Sequence, residues 1–427
     1  LSTNLLADIQ GIMLLNLSHA SVWETKNRWN ESWEKKYSLW FKSKKVRADF
    51  FTDKGSPYFG LWGDCADVIY FFRAIFSKNH SLPFSIIHPL KETPSLFSNE
   101  TKIFDHLPKD LRFKSFMKTI SKLAGTFHLG ANETYPIRID KIRPGDIYIF
   151  QLTTRKKRKI IRHAMGIKNV NPNGTLDYIY SSPRIKIINE LASKNTKKKS
   201  DLIYKKMQDP LFAPKNKLRG FRRFIWPRHM LKKRKMNIPL KDSWLQQSKM
   251  AKLWGEDKFL KYVKNTLTKE KEDIEVTFKR KITDLCQLTN QRIEAVQEAL
   301  DYKFKVKGRC FNYHEYDIYS SPMMDYVLKK NFNYLRILWS KKGKEIKDER
   351  VLSTINAIFS NNNKGSKELY QTCPVKVDNK KGFNLNLGQI YYRLSKNLFS
   401  PNPNHSLKER WGINNPQRSR SKCRIYY

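Results

Sequence analysis

Relative to its length, the chain is poorest in negative charge. Its 427 residues hold 39 Asp and Glu against 83 Lys and Arg, a formal net charge of +44. Such a field draws in polyanions: nucleic acid, an anionic lipid surface or an anionic cell-wall polymer. Cysteine is also scarce, with five in all and no CxxC or Cys/His grouping at zinc spacing, so no zinc site is legible. There is no P-loop, GxGxxG or GxSxG and no internal repeat. The signatures of phosphate-cradling loops, dinucleotide folds, serine hydrolase elbows and solenoids are therefore missing. No apolar run reaches the roughly 18 residues of a membrane helix. The short apolar patch Ile9 to Leu17 lacks the basic segment that precedes a signal peptide core. The chain starts at Leu1, and the expectation is that a leader has been removed from an exported, periplasmic or cell-envelope protein.

What is present excludes general disorder. Apolar residues make up 40% and aromatics 13%, and the length suffices for two or three domains. Cys286, Cys310, Cys373 and Cys423 can form two disulfides in an oxidising compartment, which leaves Cys65 as the odd thiol.

Residues 1–50 read as helical, with Trp29, Trp33, Tyr37 and Trp40 recurring on one face as a packing stripe. A Gly/Pro-punctuated turn segment, Lys54 to Gly63, leads into Asp64-Cys65 and then the apolar run Val68 to Phe76. Asp64 reads as an N-cap and Cys65 as a first-turn residue of a buried helix. A helix start favours a thiolate there, which is one design for a nucleophile. Lys109 to Leu123 reads as a further helix. Pro144-Gly145-Asp146 is a turn into the strand Ile147 to Phe150, with Asp146 as turn-former. Ile160 to Val170 and Thr175 to Ser181 form a hairpin around Asn171-Pro172-Asn173-Gly174. Residues 186–240, rich in Lys and Arg, read as a basic linker or arm. Residues 241–427 read as a mostly helical C-terminal domain, with two long helices broken near Thr266 or Glu270 and a cap at Asp242 or Ser243.

A cysteine at a helix start and a later histidine on a strand, here His163, is the layout of a thiol hydrolase. Such a histidine needs an orienting group from the adjacent strand. A tight hairpin puts Ser182 across from His163, with Tyr180 on the same face; a bulge brings Ser181 instead, and Asp177 is chemically best but nearer the turn.

The ordered set Tyr58, Asp64-Cys65, Pro144-Gly145-Asp146 with Phe150, and His163-Ala164-Met165-Gly166-Ile167 resembles the NlpC-type papain-like cysteine peptidases of bacterial cell walls. The resemblance covers about residues 55–183. It departs at Ala66-Asp67, where that family has Ser-Gly, and in one extra residue between His and Gly. It implies an α+β fold with a papain-like catalytic domain over 51–185 and basic flanks. It implies that Cys65 is the nucleophile, His163 the base and Tyr58 a donor near the oxyanion, with no cofactor and no metal; the family's usual third residue, His, Asn or Gln, has no match here, and the orienting residue stays open among Ser182, Ser181, Tyr180 and Asp177. The expected activity is cleavage of amide bonds in cell-wall stem peptides, with peptidoglycan or another anionic envelope polymer as partner. Two other expectations stand beside it: a nucleic-acid-binding basic protein, and an inactive papain-like module that binds the wall or serves as a scaffold.

Overall fold

The computed structural model describes residues 21–153, 160–195, 199–231, 246–360, 367–378 and 383–426. The basic runs 155–159 and 232–235, the helix cap expected at Asp242 or Ser243, and the apolar patch at 9–17 lie outside the described residues. The chain is mixed helix and sheet and divides into two units: residues 1–151 with 162–268, and residues 152–161 with 269–427.

The first unit is organised around one helix. α1 spans Glu31–Lys42 and α2 spans Cys65–Asn79. Asp64 caps α2 by accepting from the backbone N–H of Ala66 (3.0 Å) and Asp67 (3.2 Å), while Asp67 returns the contact to the Asp64 N–H at 2.8 Å. From Cys65 to Ser77 every residue of α2 is buried. A helix apolar on all sides can be stable only inside a core. Burying each of Ile69, Phe71, Phe72 and Ile75 contributes about 1.5–3 kcal/mol over leaving it exposed. The one charge on its buried length beyond the cap, Arg73, lies 3.4 Å over the Trp29 ring and pairs with buried Glu34 of α1. The aromatic stripe of the N-terminal region does pack: Trp29 and Tyr37 are core, and Trp33 and Trp40 lean on it.

After α2 come β1 (Ser85–Ile87), β2 (Leu96–Ser98), α3 (Lys109–Leu123), β3 (Thr134–Pro136), β4 (Ile147–Thr153), β5 (Ile160–Val170), β6 (Leu176–Tyr180), α4 (Pro183–Asn195), β7 (Ile203–Gln208), β8 (Gly220–Phe224), α5 (Gln247–Trp254) and α6 (Glu256–Leu267). β1 and β2 pair with each other; the other six strands form one sheet in the order β3-β8-β4-β5-β6-β7. β5 and β6 are antiparallel with Gly166 opposite Ile179 and Ile167 opposite Tyr178. The expected hairpin is therefore present.

The segment 186–240 is not a linker. Its described residues complete α4 and supply β7 and β8, and β8 is an inner strand of the sheet. The two arginines of β8, Arg222 and Arg223, are buried because each is satisfied. Arg222 donates to Thr134 Oγ1 and to the carbonyls of Gly130, Thr134 and Lys217. Arg223 clamps Asp146 at 2.7 and 3.0 Å.

The second unit is mostly helical. It holds α7 (Ile274–Lys305), α8 (Tyr313–Tyr319), α9 (Pro322–Lys342), α10 (Glu349–Phe359), α11 (Lys367–Thr372), β9 (Val375–Asp378), β10 (Phe383–Leu385), α12 (Leu387–Ser395) and α13 (Leu407–Arg410). The break between the long helices α6 and α7 falls at residues 268–273, where Asp273 caps α7. Disulfides join Cys286 to Cys373 and Cys310 to Cys423, leaving Cys65 free.

Candidate functional site

Cys65 opens α2 as expected, but it is only 4% exposed. Its Sγ lies 3.5 Å from Thr126 Oγ1, and the Ala164 backbone N–H donates toward it. Two effects compete at this sulfur. The helix N-terminus favours a thiolate. Burial opposes it, and the neighbouring Asp64 carboxylate opposes it further. Burial wins: the thiol is pushed up to about 12, so at neutral pH it is protonated. A cavity beside the Cys65 turn, lined by Gly63, Val68 and Ser181 among others, has a volume of ≈10 Å³, room for about one water.

His163 stands one residue before Ala164 and therefore on the other side of the sheet. Side chains alternate along a strand. Ala164 lies in the core cluster with α2. A Cβ added at Gly166 would meet Phe41 Cζ at 2.7 Å and Ile69 Cδ1 at 3.2 Å, and Lys168 Nζ donates to the carbonyls of Phe41 and Ser43. Positions 164, 166 and 168 thus face α1 and α2. The His163 ring instead stands edge-on to Tyr180 at 5.0 Å and to Phe150 at 5.5 Å. Phe150 stacks on Phe212 at 4.2 Å, and Tyr148 on Phe221 at 4.6 Å, which extends this second aromatic face. Burial, and then the charge of Lys205, lower the imidazole to about 4, so it is neutral at pH 7.

The expected thiol–imidazole pair is therefore not brought together. The physical reason is the extra residue between His163 and Gly166. In a strand, a shift of one residue moves a side chain to the opposite face. With Gly166 facing α2, a histidine two residues earlier would meet the sulfur. That position is Ala164.

The supporting assignments are corrected with it. Tyr58 donates its hydroxyl to Asn79 Oδ1 at 2.6 Å. Asn79 ends the 15-residue helix that Cys65 begins, about 21 Å along its axis, so Tyr58 is no oxyanion donor. Ser182 holds the first turn of α4, accepting from the Ile185 N–H at 3.4 Å and the Lys186 N–H at 3.1 Å. Ser181 donates to the Gly63 carbonyl at 2.7 Å and clamps the turn before Cys65. Asp177 accepts from Asn171 Nδ2 and from the Met207 N–H, each at 2.8 Å, and so ties the hairpin to β7. Of the four candidate orienting residues, Tyr180 is the one whose ring contact with the imidazole is seen among the described residues. Thr126, the side chain against the sulfur, had no signal in the sequence.

Among the described residues no group of three or more His, Cys, Asp or Glu side chains can hold a metal ion, and no helix is long and apolar enough to cross a membrane. No family model, no curated protein and no solved structure matches the chain.

Proposed function

We propose that this chain is a non-catalytic binding protein for an anionic polymer of the cell envelope, built on a papain-like helix-and-sheet unit that lacks a working thiol–imidazole pair. The observation that carries this reading is the position of His163, on the face of β5 away from Cys65, with Ala164 against the sulfur. The charge supplies the partner class. A net charge of +44 remains after all 39 acidic residues are set against the 83 basic ones, so phosphate- or carboxylate-bearing polymers are attracted over a range of about 8–10 Å at moderate salt. The paired cysteines support an oxidising, extracytoplasmic setting.

The test is sedimentation with purified cell walls, before and after their anionic polymers are stripped. Wild type and Cys65→Ala should bind intact walls equally, lose most binding on stripped walls, and weaken about tenfold or more between 50 and 500 mM salt. Release of stem-peptide fragments by wild type and not by Cys65→Ala would return the chain to the hydrolases. Equal binding to stripped walls would remove the polymer, and tighter retention on single-stranded DNA than on walls would replace it.

A further inference from the structure

In the second unit, two arginines are buried side by side with too few acceptors. Arg292, on α7, has no exposed side-chain surface. Its guanidinium lies 4.3 Å over the Phe399 ring and 4.4 Å over the Trp411 ring. It donates to the Asp325 carboxylate and to the carbonyls of Ser400 (3.4 Å) and Arg410 (3.0 Å). Arg410, the last residue of α13, is equally buried, and its Nη2 donates to Ser321 Oγ at 3.1 Å. Ser321 in turn donates to Asp325. Among the described residues, Asp325 is the carboxylate that pairs with either guanidinium, so two positive charges share one negative one. Arg410 is lowered to about 9, by burial first and by Arg292 second.

Several donors in this knot have no acceptor among the described residues: Nη1 of Arg292, Nε and Nη1 of Arg410, and the indole Nε1 of Trp411. All belong to wholly buried side chains. A buried donor left unmade costs about 1–3 kcal/mol, and more when charged. A water would accept from them and could donate to the Ser400 or Arg410 carbonyl, but it would leave the surplus positive charge uncancelled. An anion accepts without donating and cancels the surplus charge. Complete burial excludes a polymer end, so the occupant can be no larger than a monatomic ion.

We propose that the second unit encloses a small inorganic anion, chloride in ordinary saline, held by Arg292, Arg410 and the Trp411 indole. The site is independent of whatever the chain binds at its surface. The ion is part of the folded core and enters as the 399–411 segment closes over α7.

The test is thermal unfolding of the full chain at constant ionic strength, with sodium chloride exchanged for sodium methanesulfonate. Chloride should raise the unfolding temperature of the second unit by about 3 °C or more. Asp325→Asn, which removes the competing carboxylate, should enlarge the chloride-dependent rise even as it lowers overall stability. Trp411→Phe, which deletes one N–H, should shrink it, and so should Arg410→Met if that variant folds. Crystals grown in bromide should show an anomalous peak between the two guanidinium groups. Equal unfolding temperatures in the two salts for wild type and Asp325→Asn, or no bromide peak there, would overturn the proposal.

Discussion

The two faces of the six-stranded sheet are built from the same strands but do different things. The α2 face is mostly aliphatic and aromatic: Ile147, Ile149, Ala164, Ile179 and Phe224 pack under a helix that is buried from Cys65 to Ser77, and Lys168 at its edge donates to the Phe41 and Ser43 carbonyls. Its titratable groups are either paired, as Arg73 is with Glu34, or held neutral, as the Cys65 thiol is. The opposite face is a row of rings, Tyr148, Phe150, Phe212 and Phe221, with one imidazole among them. The lesson is that a thiol and an imidazole can be consecutive neighbours of one strand and still be separated by the sheet itself.

The difference between the two faces has measurable consequences, and the largest is in stability. Phe72→Ala, at a position with no exposure on the α2 face, should cost about 3–5 kcal/mol in chemical unfolding of the full chain. A loss below 1 kcal/mol would mean that α2 is not the centre of the core. The ring face should reveal itself through pH. His163 titrates near 4 in the fold, below its ordinary 6.5, so the unfolded chain takes the proton first as pH falls. The contribution is full above 6.5 and is lost as pH falls through 4. The loss is about 3 kcal/mol, and His163→Phe should flatten that limb of the stability–pH curve. Next, Ala164→His places an imidazole on the sulfur side. It should cost about 1–3 kcal/mol by overpacking, yet speed iodoacetamide labelling of Cys65. Labelling no faster than wild type would argue against the facing of β5 described here. Cys65→Ala should have the smallest effect, about 1 kcal/mol in the same unfolding assay and none on wall binding.

Much of the first unit is legible in the residues. Asp64 with an apolar run behind it specifies the capped start of α2, and Asn171-Pro172-Asn173-Gly174 specifies the hairpin. The region after residue 186 is not legible, because its strands hide behind charge. Gly220-Phe221-Arg222-Arg223-Phe224 reads as a basic loop until Thr134, Gly130 and Asp146 are known to stand opposite it. Those partners lie 77 to 92 residues away in sequence, and no local pattern announces them. The site shows the other kind of failure. The register puts Ser182 opposite His163 on paper, but β6 ends at Tyr180 and Ser182 begins a helix instead. The facing of His163 was written in its distance from Gly166. That distance decides the face only once the Gly166 side is known to meet Phe41 and Ile69.

Whether Cys65 and His163 act as a pair is decided by the rate at which iodoacetamide labels Cys65 in the folded protein as a function of pH, in wild type and in His163→Ala. A protonated, separated thiol should label slowly at neutral pH, at a rate that climbs only above about pH 9 as it begins to ionise, with no difference between the two proteins. Fast labelling with a midpoint below pH 7 that disappears in His163→Ala would contradict that separation.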